Sequence, residues 1–481
     1  MLFNSLEYLL FLPIVLILFF LTTHRYRWVI LLISSYYFYM SWNPTYLGLI
    51  VFSTLIDFLA GRKIASTNIL FIKKLFLTIS ITVNLGLLFF YKYFNFVAGE
   101  VNHLSTWFGS EGSPLIHNYI LPVGISFYTF QTMSYTIDIY NGKTKPEKHL
   151  GVFAVFVSFF PQLVAGPIER AGHLIHQIRE KKRIYFRNFQ FGLIRILWGL
   201  FKKVVIADRL AGMVNTVYNS PQEYSGWQLI VATFFFAFQI YCDFSGYSDI
   251  AIGSARLFGV RLMENFRTPY FATSIGEFWH RWHISLSTWF RDYVYIPLGG
   301  NRAVKWRWYY NLFITFVISG FWHGANWTFL IWGAIHGSIL VAESMIKQSK
   351  LKQPIKPSFI KPIQIAWIFV LTSFAWIFFR ANSFSDAGLI LNSITDFSSP
   401  LATSIRGQVL YLGEPLWRFA GTFILIFSLV ALEHLINTKK ISEIHLIRQT
   451  PIVRWSVYTF FITIILVLGV FELDEFIYFQ F

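Results

Sequence analysis

"WYYNLFITFVISGFWHGANWTFLIWGAIHGSILVAESMI", residues 308–346, is an apolar run about twice as long as the roughly 20 residues one membrane crossing needs. It divides at "SGFWHGANW" (319–327). Gly320 and Gly324 punctuate the pattern there, and Asn326 is a good N-cap for a second helix. The pattern predicts two helices joined by a turn that carries His323, about halfway down the membrane. A turn exposes free backbone groups and can face a polar cavity, which a continuous helix surface cannot do. An ionisable side chain inside a bilayer is a functional candidate. Polar intramembrane groups also bond one helix to another, and composition alone leaves both readings of His323 open. His336, further along the second helix, reads as a packing histidine.

The rest of the chain agrees with a membrane setting. Of 481 residues, 55% are hydrophobic and 13% charged, against about 25% charged in a soluble domain. Mean hydropathy is +0.52. Aromatic residues reach 20%, which suits interfacial belts of Trp and Tyr. The net charge of +16 would suggest nucleic acid in a soluble protein. Here the basic residues fall in short segments between apolar runs, so the expected partner is the lipid bilayer and no nucleic acid. A single cysteine, Cys242, excludes an internal disulfide, a cysteine-ligated zinc and an acyl-carrying cysteine cluster. The first apolar run has Glu7 and no basic segment ahead of it, so it reads as a retained membrane helix.

Loop charge gives a topology. Lys and Arg concentrate in 24–27, 62–74, 143–148, 170–187, 281–307, 347–361 and 439–454. The loop 98–117 has neither, and 381–415 has only Arg406. The positive-inside rule assigns the first set to the cytoplasm and the second to the outside. Both termini, including the acidic and aromatic "FELDEFIYFQF", then lie outside. The stretches 151–167 and 308–346 each join two basic loops, so each crosses an even number of times or dips in and returns. The expected architecture is an all-α polytopic membrane protein, one domain over 1–481. It has roughly ten to twelve membrane segments, re-entrant pieces included.

A second stretch dense in Trp, His and Arg is "IGEFWHRWHISLSTWFRDYVYIPLGGNR" (275–302). If 277–291 is helical, Glu277, His280 and Ser287 share a face, with His283 beside His280. An amphipathic interfacial helix accounts for this composition. A metal site would need more carboxylates from other helices, and none is expected. Arg281, Arg291, Arg302, Lys305 and Arg307 lie on the inferred cytoplasmic side. Arg forks grip phosphates, so a polyphosphate such as coenzyme A can dock there, as can anionic lipid headgroups. Asp243 and Asp249, in the apolar stretch "QIYCDFSGYSDIAIG", are expected to pair with a buried Arg or to cap a break.

Five segments together carry a resemblance. "LPVGISFYTFQTMSYTIDIY" (121–140), "FFPQLVAGPIERA" (159–171), "YCDFSGYSDIAIG" (241–253), "FWHRWHISLSTWFRDYVYIPLGG" (278–300) and "SGFWHGANWTFLIWGAIHG" (319–337) occur in the order seen in membrane-bound O-acyltransferases. The chain is similar to the bacterial branch of alginate O-acetylation and teichoic acid D-alanylation, most specifically over about 120–345. The "YIPLGGNR" stretch looks more like the alginate type. The resemblance implies a ring of tilted helices around a thin centre, with an outer funnel and an inner tunnel meeting at a catalytic histidine. That histidine corresponds to His323. The histidine of "RWHISLS", His283, is the second family-typical polar residue.

The resemblance further implies a membrane O-acetyltransferase of a bacterial inner membrane, working in exopolysaccharide O-acetylation such as alginate biosynthesis. It would move an acetyl group from cytoplasmic acetyl-CoA toward an extracytoplasmic polysaccharide, or toward an exported O-acetyltransferase partner. Acetyl-CoA is then a substrate, and no permanently bound cofactor is expected. His323 and His283 are the catalytic candidates. Arg281, Arg291, Trp322 and Asn326 are the candidates for donor binding. D-alanyl transfer from a carrier-protein thioester is the alternative within the class. A transporter with a histidine proton relay is the alternative outside it, disfavoured by the lack of internal repeats.

Overall fold

A computed structural model describes residues 1–109, 116–117, 120–348, 357–405, 408–471 and 476–477. Most of the acidic, aromatic C-terminal stretch, Arg406, and parts of the loops 98–117 and 347–361 lie outside the described residues. The chain is overwhelmingly helical. Among the described residues, seven helices are long and apolar enough to cross a membrane: Pro44–Ser66, Leu70–Trp107, Gly226–Leu257, Trp327–Gln348, Ile360–Arg380, Leu416–Asn437 and Pro451–Leu468. Other expected segments take the form of shorter helices, among them Leu6–Leu21, Arg27–Met40 and Ile125–Tyr140, with 16, 14 and 16 residues. At about 1.5 Å per residue these fall short of the roughly 30 Å hydrocarbon core. A small antiparallel sheet, Ala402–Ile405, Gln408–Tyr411 and Glu414–Pro415, interrupts the low-charge loop and had no signal in the sequence.

The fold groups into two compact units, 1–193 with 251–263, and 194–250 with 264–481. In the first, the stretch 151–167 does not form one continuous helix. Leu150–Ser158 and Phe160–Leu163 are short helices that break at Phe159, and this segment is buried in protein. The break is satisfied by side chains. Gln131 and Gln162 donate to the Phe156 carbonyl at 2.6 and 3.0 Å, and the Phe160 N–H donates to Ser35 Oγ at 3.1 Å. Irregular backbone at membrane depth needs this kind of cover. Asp57, fully buried, accepts from Ser80 Oγ and Asn84 Nδ2 at 2.5 and 2.8 Å and ties neighbouring helices together.

In the second unit, helix Phe186–Leu200 comes close to helix Gly226–Leu257, because a Cβ on Gly199 would lie 2.5 Å from the Gly246 carbonyl. That approach brings three cations onto the buried carboxylates of the apolar helix. Lys203 bonds Asp243 and Asp208 at 2.6 and 2.7 Å. Lys202 pairs with Asp249 and donates to Ser245 at 2.9 Å. Arg195 reaches Asp249, Glu264 and Glu443 at 2.7, 2.5 and 2.7 Å. An arginine, the partly exposed Arg195, pairs with Asp249 alone, whereas Asp243 is paired by a lysine, Lys203, where an arginine was expected.

For brevity, helix Lys305–His323 is called α1 and helix Trp327–Gln348 α2. They form the expected hairpin, and glycines set its closeness. A Cβ on Gly320 would lie 2.2 Å from the Phe329 carbonyl, and one on Gly333 2.3 Å from the Phe316 carbonyl. At Gly337 the Phe313 carbonyl would be 3.0 Å away. Gly320 therefore serves close helix packing and does not punctuate. The backbone leaves the helix at Gly324, which is extended, and Asn326 Oδ1 caps α2 by accepting the Thr328 N–H at 3.0 Å. The chain breaks where the sequence pattern placed the turn. The whole of α1, about 28 Å at 1.5 Å per residue, separates Lys305 from His323.

Gly333→Val is expected to force α1 and α2 apart and to destabilise the protein by at least about 1–3 kcal/mol. Thermal unfolding of the detergent-solubilised variant measures it. An unchanged midpoint would show that the backbone contact does not hold the hairpin.

Candidate active site

His323 ends α1 and is 3% exposed. Its ring meets three aromatic rings edge to face: Trp322 at 5.0 Å, Trp332 at 5.1 Å and Phe379 at 5.3 Å. Trp332 lies on α2, so the tight hairpin is what delivers it. The Trp322 indole also meets His283, at 6.3 Å between ring centres. One indole thus touches both motif histidines, which are forty residues apart in sequence.

His283 reaches this position through a break. The conditional single helix over 277–291 does not form. Ile275–Arg281 and Ile284–Phe290 are separate short helices, and His283 between them has φ of +42°. A left-handed conformation at a non-glycine residue costs roughly 1–2 kcal/mol, so the surroundings must hold it. Asn265 does so. Its carbonyl accepts the Ile284 N–H at 2.9 Å, and its Oδ1 accepts the Ser285 N–H at 3.2 Å and the Ser285 hydroxyl at 2.9 Å. Asn265 Nδ2 donates to Ser248 Oγ at 3.2 Å.

This network sets the tautomer. Because Asn265 Oδ1 already accepts a backbone N–H, the 3.1 Å contact from His283 Nδ1 is an Nδ1–H donating to it. The neutral ring then carries its lone pair on Nε2. His283 lies outside the seven long apolar spans and is fully buried, and burial pushes its imidazole down to about 3. Phe244, edge-on at 4.6 Å, covers another side of the ring, and Phe476 packs on Phe244 at 5.9 Å.

The four donor-binding candidates fare differently. Trp322 is central to the site. Asn326 spends its amide on the cap of α2 and on the Asn382 carbonyl at 3.3 Å. The Arg281 guanidinium is held by Glu277 at 2.6 Å, Asn437 at 2.9 Å and Thr268. Arg291 is exposed and pairs with Asp292 at 2.8 Å. Among the described residues, no hydrogen bond or ion pair of either arginine goes to His283, His323 or Trp322. His336 is fully buried, lies parallel to Phe278 and meets Trp279 and Trp332 edge to face, as a packing histidine would. No cluster of three or more His, Cys, Asp or Glu side chains among the described residues is arranged to hold a metal.

Sequence reasoning missed Asn265, Trp332 and Phe379. Trp332 and Phe379 read as ordinary apolar helix positions, and the spacing of "RLMENFRTPY" gives Asn265 no link to His283.

An imidazole against an indole shared with a second, rigidly aimed imidazole is an arrangement suited to moving a proton during acyl transfer. The family model for membrane-bound O-acyltransferases matches residues 147–384, which include every residue of this site except Phe476. The chain is 41% identical over 387 residues to the "Probable alginate O-acetylase AlgI" of Azotobacter vinelandii, covering 80% of this chain and 76% of the relative. The Helicobacter pylori "Peptidoglycan O-acetyltransferase" is 37% identical, over 76% of this chain and 73% of its own. The Bacillus subtilis "Teichoic acid D-alanyltransferase" is 29% identical, over 50% and 64% respectively. The chain belongs to the membrane-bound O-acyltransferase family. It is a multi-pass membrane enzyme of the O-acyltransferase class.

Two outcomes test this geometry. Asn265→Ala removes the acceptor that orients His283 and is expected to slow acyl transfer by about a hundredfold, the scale of a 1 Å misplacement. Wild-type turnover by that variant would make the asparagine a bystander. The second concerns pH. A native value below the free imidazole's ~6.5 means the unfolded chain takes up a proton that the folded one refuses. Stability from this group therefore falls as pH drops from about 7 toward 3, by up to about 1.4 kcal/mol per unit. His283→Gln should lower proton uptake on unfolding by about one, measured as the pH slope of stability. An unaltered slope would assign the uptake to another group.

Proposed function

We propose that this enzyme transfers an acetyl group from acetyl-CoA, taken from the cytoplasmic side, to a hydroxyl presented from outside the membrane. The observation that carries the reading is the Trp322 indole in contact with both His323 and His283 at the closed end of the hairpin. In the proposed step, neutral His323 removes the proton from the acceptor hydroxyl. The oxygen attacks the thioester carbonyl, the C–O bond forms, and the C–S bond breaks. The departing thiolate takes the proton from the imidazolium, leaving free CoA and an acetyl ester. General-base catalysis of this kind typically contributes 10²–10⁴-fold.

Two neighbours have defined parts in this scheme. The Trp332 indole N–H has no acceptor among the described residues and is a donor for the developing oxyanion. His283, with Nδ1–H spent on Asn265, offers Nε2 as an acceptor, so it suits holding a hydroxyl better than stabilising negative charge. Of the two arginines, Arg291 is free of the structural network that occupies Arg281, and it is the better dock for the phosphates of the donor. The basic loops set the cytoplasmic face of an inner membrane, with both termini outside. The names of the relatives support an envelope polysaccharide as final acceptor, reached directly or through an exported acetyltransferase.

D-alanyl transfer from a carrier protein is the second reading, favoured by the likeness to the teichoic acid enzyme. Identity and coverage are both lower there. Purified protein supplied with acetyl-CoA should release CoA and acetylate the acceptor, and His323→Ala should lose at least about 10²-fold of that rate while still inserting. Transfer from a D-alanyl carrier with none from acetyl-CoA would replace this donor. Full activity in the His323 variant would end the mechanism.

A further inference from the structure

Two arginines share one phenylalanine ring in the first unit, and a third stands near them. Arg187 and Arg256 place their guanidinium carbons 5.7 and 5.5 Å from the centre of the same ring, Phe191. The fold puts them there. Gly192 lets helix Phe186–Leu200 approach the end of helix Gly226–Leu257, since a Cβ on it would lie 2.8 Å from the Gly253 carbonyl. The chain then folds back, with the Gly259 and Val260 N–H groups donating to the Arg256 and Ala255 carbonyls at 2.9 and 3.0 Å. Gln177 fixes the returning segment by bonding both the N–H and the carbonyl of Arg261 at 2.9 Å. The charges that act on Arg256 are those of Arg261 and Arg187, both positive.

Among the described residues, none of the three guanidiniums has an ion pair or a hydrogen bond. Like charges held together repel. The helix C-terminus beside Arg256 supplies about half a unit of negative charge, which offsets part of one cation and leaves the others. Water can solvate the exposed Arg187 and Arg261, but it does not account for their neighbours. Ile184, Tyr185 and Phe186 are all exposed, Phe186 at 75%. Lys181 and Arg183 stand exposed beside them. Arg27 Nη1 ties this segment down by donating to the Lys182 carbonyl at 2.6 Å. Cations interleaved with apolar side chains mark a surface at headgroup level, where the charge meets phosphate and the rings reach the acyl boundary.

We propose that Arg187, Arg256 and Arg261, edged by Ile184, Tyr185 and Phe186, form a binding site for an anionic phospholipid. Guanidinium forks take the oxygens of a phosphodiester bidentately, and a bound phosphate relieves the repulsion among three positive charges. A soluble phosphate gains nothing from three exposed apolar side chains, whereas the glycerol and acyl chains of a lipid do. The cytoplasmic face proposed for the loop 170–187 is also the leaflet where anionic lipids concentrate. This inference is independent of the transfer chemistry at His323 and adds a ligand of a different class.

The test uses the full-length protein, stripped of lipid in detergent, with phosphatidylglycerol and phosphatidylcholine as probes and native mass spectrometry to read binding. Wild type should bind phosphatidylglycerol at least about tenfold more tightly than phosphatidylcholine. Arg187→Gln and Arg261→Gln, both at exposed positions, should each weaken it by about fivefold, the scale of one basic residue near an anionic surface. Arg187→Glu gives Arg256 an internal counter-charge and should abolish the preference. The Arg261 variant carries the test if the Arg187 variants do not fold. The Lys73→Gln/Lys74→Gln double variant removes two charges from another basic loop and should leave the preference intact. An equal loss there would mean diffuse attraction to the whole basic surface and overturns the proposal. So does equal binding of both lipids by wild type, or a preference that the arginine variants retain. Displacement of the lipid by excess inorganic phosphate would assign the cluster to a soluble anion, and that outcome overturns the proposal too.

Discussion

The backbone contact between α1 and α2 at Gly320, Gly333 and Gly337 is the constraint from which the site follows. Lipid tails are as apolar as leucine, so helices in a bilayer gain little from burying apolar side chains against each other. They associate by close van der Waals fit, and small residues allow the closest approach. With the two helices at backbone distance, the connection must be short. Gly324 turns away in extended form, and the Phe329 ring fills the space a side chain there would need, 2.1 Å from its ideal Cβ. The last two residues of α1, Trp322 and His323, are then fixed side by side, and successive helix positions point about 100° apart. One faces His283 and the other faces Trp332 and Phe379.

Electrostatics secures the opposite wall. Buried ion pairs contribute little net stability, because desolvation offsets much of the attraction. Their value here is register. Lys203 holds Asp243, which also accepts the Ile477 N–H at 2.8 Å, and the next residue is Phe244, the ring edge-on to His283. A slip of the apolar helix would move that ring off the histidine and strand several charges in a low-dielectric interior. Fully connected, the network favours one alignment of the helix over its neighbours.

How much of this was legible depended on whether the signal was local. The hairpin was readable because turn, cap and apolar run follow each other in sequence. The pairing of Asp243 and Asp249 was readable because an unpaired charge in an apolar helix is too costly to leave alone. The number of long spans was not, since a helix such as Leu6–Leu21 is apolar but stops at 16 residues, a length the apolar pattern alone does not set. The break at His283 was equally hidden. Residues 277–291 contain no Gly or Pro to signal a break, and the bonds that hold it come from Asn265, eighteen residues before His283. Trp332 and Phe379 became site residues only through tertiary packing.

The strained backbone at His283 bears on function in a way its burial does not. A left-handed conformation at a non-glycine residue costs roughly 1–2 kcal/mol, and the surroundings of His283 sustain it. The protein sustains that conformation and orders Asn265 against the same segment with four hydrogen bonds, three to Ile284 and Ser285 and one to the imidazole itself. Such over-determination fixes which nitrogen carries the proton and where the other points. That is the precision the proposed role of His283, meeting a reacting hydroxyl within a few tenths of an ångström, would require.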